Sequence, residues 1–496
     1  MIANEERVYR FSPLDRAGWL LGLGAAECLS LGGALFGAGV VLQVDGAPLL
    51  ALFLPVAASI FAFGSWDGVR FHAWTPLLLR HGVALLTGTS RWTRAVGGTR
   101  ASQPAWPHFL DGIDLIDAGT VALPAGPAPF GAVVDRRART LSASIAVRGE
   151  AFSLIERAEQ ERLVGLWGEV LAGFCSERGA VSSVRVTEWA APAGVGPHER
   201  FLAERSPDTA REEARAAYAA LLADVRSQTV GHEVLVTVTI DRRRLRGSRR
   251  GGDANEDVAE RALSDEIRLL AARLDAAQLD VGLPLAVSDL VTALRRRLDP
   301  SGFGCNGGTL AEAIGVVSVA NAGPMAAETH WSHLQIDGSL HRTYWVADWP
   351  RLDVPPSWFE PLVLHAGGVR TVAIHYEPTP PSRARRRIDR DSTRLAADEA
   401  QRSRAGFRVG AGHRRAQAAV LERESELVAG YAELEFVGFV TVSANDRDEL
   451  DRSCAEYEQA AAQAGLEIRG LDARHDLGFV CSLPIGRGLA SRRFGQ

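Results

Sequence analysis

Polar and apolar positions change rhythm along this chain. Residues 17–44, AGWLLGLGAAECLSLGGALFGAGVVLQV, form a run of 28 in which Glu27 is the one ionisable residue. The four-residue break DGAP separates it from the charge-free run Leu49–Gly64. A helix that crosses a bilayer needs about 20 apolar residues, so the pair predicts an N-terminal transmembrane helical hairpin over 17–66. A cleaved signal peptide fits less well, because the run is long and a second one follows at once. Arg7, Arg10 and Arg16 precede the hairpin, Arg70, Arg80, Arg91, Arg94 and Arg100 follow it, and the connecting turn holds Asp45 and no base. By the positive-inside rule this predicts a two-pass plasma-membrane protein with both termini cytoplasmic, residues 1–16 forming a short cytoplasmic N-terminus.

Within the first run, Gly18 and Gly22, and Gly33 and Gly37, have the small-xxx-small spacing that lets helix backbones approach. They pack either the two spans together or a span against another subunit, and Glu27 at mid-span points toward a partner or a cavity. Residues 69–86 mix Trp74 and Phe71 with Arg70, Arg80 and His81, the composition of an interfacial segment, which Pro76 should interrupt. The Gly/Ser/Pro-bearing stretch after it reads as a linker, so 67–107 is an interfacial segment plus linker.

Beyond residue 108 the rhythm alternates between periods of two and of 3.6. Strands are predicted at 140–149, 180–189, 232–241, 342–350, 369–378, 434–444, 466–472 and 477–483. Helices are predicted at 152–179, ending at Gly179, and at 209–228, 256–280, 382–430 and 446–465. The Gly/Asn/Pro-rich DPSGFGCNGGTL breaks the pattern at 299–310. The expectation is α+β: a transmembrane hairpin followed by two cytoplasmic ferredoxin-like domains, 108–300 and 310–496, with helices on one face of each sheet. The second carries a helical arm over 382–430. No repeat of short fixed period is visible.

Composition narrows the chemistry. All 55 basic residues are arginine. Without lysine there is no P-loop, no Schiff base and no kinase strand lysine. Cys28, Cys175, Cys305, Cys454 and Cys481 are odd in number and form no CxxC, which reads as reduced thiols. Gly302, Gly304 and Gly307 match G-x-G-x-x-G, but a helical stretch feeds them instead of a strand, so no dinucleotide site is expected. His330, His333 and His341 lack the spacing of a metal site. No cofactor and no metal are expected. Residues 383–415 hold eleven arginines against four acids, a net charge of +7. Arg383, Arg385, Arg386, Arg387 and Arg390 open this stretch. A protein surface, anionic lipid, nucleic-acid phosphate or plain solvation would each accommodate them.

The tail LEIRGLDARHDLGFVCSLPIGRGL, 466–489, resembles the end of the N-terminal domain of the large type IV secretion and conjugation ATPases. Leu483, Pro484, Gly486 and Arg487 stand at that family's Leu-Pro-x-Gly turn, after which its nucleotide-binding domain begins. The first 100 residues are similar in layout to the small two-span subunit that partners this ATPase. With YRFSPLDRAGWLLGL (9–23), TYWVADWPRLDVPPSWFEPLVL (343–364) and EPTPPSRARRRIDR (377–390), the whole chain resembles an actinobacterial family of membrane proteins from conjugation-like clusters. The resemblance implies a non-enzymatic, membrane-anchored docking subunit of a type IV secretion-like apparatus. It would recruit a separate ATPase within a hetero-oligomer, and it carries over no catalytic residue. Alternatives are a type VII secretion subunit, or a membrane-anchored enzyme such as a glycosyltransferase using one of the two DRD triplets, 389–391 or 446–448.

Overall fold

A computed structural model describes residues 11, 25–43, 48–66, 69–94, 104–149, 151–192, 202, 204–205, 211–225, 230–245, 253–301, 319–365, 367–404, 406, 408 and 410–488. In chain order its elements are α1 (Ala25–Gln43), α2 (Pro48–Phe63), β1 (Ser65–Trp66), β2 (Val69–Arg70), α3 (Phe71–Thr87), β3 (Arg91–Thr93), β4 (Ile113–Leu123), β5 (Gly126–Asp135), β6 (Thr140–Arg148), α4 (Arg157–Ala172), β7 (Val181–Pro192), α5 (Glu212–Val225), β8 (Val230–Asp241), α6 (Asp253–Ala276), β9 (Asp280–Pro284), α7 (Val287–Leu298), β10 (Ala326–Thr329), β11 (Leu334–Ile336), β12 (Ser339–Asp348), α8 (Glu360–Val363), β13 (Val369–Pro378), α9 (Pro381–Arg404), α10 (Ala411–Ala429), β14 (Leu434–Ala444), α11 (Arg447–Gln463), β15 (Glu467–Gly470) and α12 (His475–Ser482). They fall into two compact units. One comprises residues 1–11, 89–380 and 433–495, the other 12–88 and 381–432.

The first unit is built on a 13-stranded sheet whose path is β3-β10-β11-β12-β14-β13-β7-β8-β6-β5-β4, with β9 on β6 and β15 on β12. Its pairings are all antiparallel. The run β6-α4-β7-β8-α6-β9 has the strand order β9-β6-β8-β7, and β12-α8-β13-β14-α11-β15 has the order β15-β12-β14-β13. Both are the split βαβ arrangement. They join through their second strands, β7 against β13, from Arg370 opposite Ala190 to Tyr376 opposite Val184. Each is preceded by a hairpin, β4-β5 or β10-β11, and followed by a helix, α7 or α12. After each of those helices the sequence reads Pro-x-Gly-x-Gly: Pro300, Gly302, Gly304, and Pro484, Gly486, Gly488. The unit is thus a duplication on the scale of a whole fold, which a search for short periods passes over.

Strand side chains alternate between faces. On β5, Phe130, Ala132 and Val134 join a core with α4 and α6, whereas Val133 joins the core formed by α7 and α12. Helices therefore cover both faces of the sheet, not one as expected. Other sequence expectations also shift. The helix predicted to run to Gly179 ends at Ala172 with Gly173 as its cap. The strand predicted at 477–483 is replaced by the helix His475–Ser482, with Leu483 as its C-cap. The linker contributes β3, paired with β10 at Ala326–Thr93.

The second unit holds α1–α3 with the small β1-β2 hairpin, and the α9–α10 arm. Here the largest expectation fails. Among the described residues no helix is long and apolar enough to cross a membrane, which overturns the transmembrane hairpin and the two-pass plasma-membrane placement. Among the described residues the first run contributes a helix of 19 residues and the second one of 16. At about 1.5 Å per residue these reach ~28 and ~24 Å, short of a hydrocarbon core of about 30 Å. Pro76 lies in the second turn of a continuous α3 instead of breaking it.

Candidate functional site

The best-built polar site lies on the face of the sheet that carries α12. Alternation along β6 turns Leu141, Ala143 and Ile145 into the α4/α6 core and places Ser142 and Ser144 on the other face. On β8, Val236, Val238 and Ile240 alternate with Thr237 and Thr239. On β7, Val184 alternates with Arg185 and Thr187, and His375 stands opposite Arg185 on β13. The result is a band of hydroxyls, a guanidinium and an imidazole, all buried. Its own strands partner part of it: Ser144 and Thr237 share a hydrogen bond of 2.8 Å.

The chain covers this band with its own tail turn. After α12 the backbone turns at Leu483 and runs over the band as Pro484, Ile485 and Gly486, with Leu483 and Ile485 fully buried. Arg185 Nη1 donates to the Leu483 carbonyl and Nη2 to the Arg487 carbonyl, both at 2.6 Å. Ser142 donates to the Ile485 carbonyl at 3.3 Å. Arg185 is 1% exposed, and its Nε has no hydrogen-bond partner, like Nδ1 of His375. Burial pushes the Arg185 guanidinium down to about 10, and it pushes the His375 imidazole below its ordinary value. Two peptide carbonyls thus solvate a buried cation, a replacement for water that a flat apolar cover could not provide.

Gly486 has φ +68°, in the left-handed region. A Cβ there would overlap the Ser142 hydroxyl, so glycine is required by space as well as by backbone. Arg487 closes the turn. Its Nε pairs with Asp135 at 2.6 Å, and its Nη1 and Nη2 donate to the carbonyls of Phe109 and Asp111 at 3.0 and 2.9 Å. Burial works against the Asp135 charge. The Arg487 hydrogen bond and charge, with the amides of Ala138 and Arg137, outweigh it and hold the carboxyl below its usual range. All four residues of the predicted turn, Leu483, Pro484, Gly486 and Arg487, therefore meet in one place. The sequence reading missed Arg185, Asp135, Ser142 and His375. The signal for Arg185 and Ser142 was present in VSSVRV and TLSASIAV, where polar residues recur at every second position within buried strands; Asp135 and His375 carried no such signal.

The arm carries the arginines differently. Arg383, Arg385, Arg386 and Arg390 are exposed and Arg387 is half-buried, on a helix whose buried side is Ala384 and Ile388. Asp391 with Arg423, Glu399 with Gln417, and Asp398 with His413 tie α9 to α10 in antiparallel order. Three of the four acids among 383–415 are thereby engaged within the arm, and basic charge predominates at the start of α9. In the other helices, Gly37 faces Leu54 at 3.8 Å, while a side chain at Gly33 would meet open space. Glu27 lies in α1, but its side chain, with Gly18 and Gly22, lies outside the described residues.

The remaining candidates have structural roles. His330 and His333 stack at 4.4 Å. His341 stands apart in the sheet: Nε2 donates to the Leu298 carbonyl at 3.0 Å, so Nδ1 accepts from Ser443 at 2.8 Å. No metal-capable cluster of His, Cys, Asp or Glu occurs among the described residues. Asp446 caps α11 by accepting from the Glu449 amide, and Asp389 and Asp391 lie inside α9. Cys305 and the glycines 302, 304 and 307 lie outside the described residues. No protein-family model matches this sequence, and no curated protein matches it.

Proposed function

We propose that this protein is a non-enzymatic docking subunit of a multi-protein assembly, a type IV secretion-like apparatus that works with a separate ATPase. The observation that carries the reading is the apolar surface on α1, α2 and α3. Phe36 is 77% exposed, Leu35 63%, Phe53 63% and Leu86 89%, alongside Leu29, Leu42, Phe63 and Leu79. Surface of this kind on a folded chain marks a contact with another molecule. The partner that suits it is an apolar helical face of another subunit, and the exposed arginines at the start of α9 suit an acidic rim around that contact.

Two further features support the ATPase half of the reading. In the ATPases that the tail resembles, the Leu-Pro-x-Gly turn leads into the nucleotide-binding domain. Here Arg185 and Arg487 hold that turn rigidly on the sheet, so a separate motor docking beside it would meet a preformed surface. The chain has no lysine and therefore no Walker A of its own.

The test is purification of tagged full-length protein from its native cells, with bound proteins identified by mass spectrometry. A stoichiometric Walker-bearing ATPase supports the proposal, and its loss from a Leu35→Asp/Phe36→Asp variant would place the contact on α1. Recovery of the protein alone, or with type VII secretion components, would overturn it.

A further inference from the structure

The arginines that open α9 continue along it on one side of the helix. With a turn of about 100° per residue, Arg383, Arg386, Arg394 and Arg404 all lie within about 40° of Arg390 around the axis. All five are exposed. Ala397 and Gln401 are the other residues in that arc, and no acid falls inside it. Asp389 and Asp391 stand about 100° to either side of Arg390, Asp398 about 80° away and Glu399 on the far side. Three of these acids are engaged elsewhere: Asp398 with Arg402 at 2.8 Å, Asp391 with Arg423 at 3.4 Å, and Glu399 with Gln417 at 2.6 Å. Among the described residues no carboxylate pairs with any of the five arginines. At about 1.5 Å per residue, the face from Arg383 to Arg404 is about 31 Å long.

We infer that this face binds the phosphate backbone of a duplex nucleic acid. A duplex carries one charge per about 1.7 Å of its axis, so a straight row of cations meets phosphate along its whole length. Guanidinium groups suit that contact because they grip phosphate through paired N–H donors. A protein helix would match the row only by stacking carboxylates at i, i+4, where they repel one another. A lipid surface takes up a helix that exposes an apolar side beside its bases. Among the described residues α9 exposes no large apolar side chain, and its Ile388 is buried. Single strands are held by aromatic side chains on which bases stack, and α9 contains none. Arg385, about 140° from Arg390, lies off this face and remains for the protein contact proposed above. The inference goes beyond that contact and does not depend on it.

The test uses purified full-length protein and a short fluorescently labelled DNA duplex, with binding read by anisotropy over a series of salt concentrations. Five phosphate contacts predict a slope of log affinity against log salt near −4.5, a loss of roughly 500-fold between about 50 and 200 mM. The double variant Arg390→Gln/Arg394→Gln should bring the slope to about −2.7 and weaken binding at low salt at least tenfold. Arg385→Gln should leave the slope as it is, and matching circular dichroism of all variants excludes loss of folding as the cause. Three results would overturn the inference. One is absence of duplex binding at about 50 mM salt, where such contacts are strong. Another is an equal change of slope from Arg385→Gln and from Arg390→Gln, which would make net charge the cause instead of the face. The third is tighter binding of polyglutamate or of phosphatidylserine vesicles than of the duplex at the same salt, which would assign the face to an acidic protein or to lipid.

Discussion

Asp135 and Arg487 lie far apart in the chain, yet they decide how the tail is held. The pair is buried on the Asp135 side and bonded at 2.6 Å, so removing one charge leaves the other stranded. Asp135→Asn should therefore destabilise the first unit by about 3 kcal/mol in chemical denaturation. Gly486→Ala combines a positive φ with overlap on Ser142. A loss of about 3 kcal/mol, read from the same experiment, is expected; a change within about 0.5 kcal/mol, typical of unconstrained surface sites, would mean the turn is not seated on the sheet. His341 gives the pH response. Burial pushes it down from 6.5 to about 4. Between those values the unfolded chain takes up a proton that the folded chain excludes. Stability from this residue is thus complete above pH 6.5 and is lost as pH falls toward 4. The linked contribution is about 3 kcal/mol. Burial pushes His375 and His475 in the same direction. Melting temperature should fall from pH 6.5 to 4.5, and His341→Gln should flatten that slope; parallel curves for the two proteins would exclude this origin.

Long strands were legible even where both faces are buried. The strands 369–378 and 434–444 emerge with the predicted bounds, because runs of ten or more residues rich in β-branched and aromatic side chains favour an extended chain. Period fails where a short element is buried on every side. HDLGFVCS in α12 is such a case, with seven of its eight residues buried. A short apolar run of this kind reads equally as strand or helix. Tertiary context decides it: Phe479 and Val480 pack into the same core as Leu290, Leu294 and Leu298 of α7, across the face of the sheet. On the arm, reversing Arg383, Arg385 and Arg386 to glutamate should leave circular dichroism unchanged, since these residues are exposed, while weakening capture of an acidic partner. Retained capture at low salt would remove the arm from the interface.

At the scale of the molecule, the two split βαβ halves share one sheet through β7 and β13, and each is covered by chain from the other. Leu298 and Asp299, at the end of α7, reach His341 and Ser339 in the second half, whereas Pro484 and Gly486 lie over Ser142 and Ser144 in the first. Crossed covering of this kind couples the halves. Chemical denaturation of the first unit should give one transition, with hydrogen exchange in β8 and β14 sharing the same opening free energy; two resolved transitions would show that the halves fold independently. Much of this was legible beforehand. The alternation of strand and helix, the turn residues 483–487 and the absence of lysine chemistry follow from local sequence, because period, backbone geometry and residue type are local properties. The joining of two halves into one sheet, the placement of helices on both faces, the burial of Arg185 beneath the tail and the seating of Phe11 among Trp349, Trp358 and Phe436 do not. Each depends on contacts between residues far apart in the chain, and only the packed structure determines which distant partner a buried charge or an aromatic ring will find.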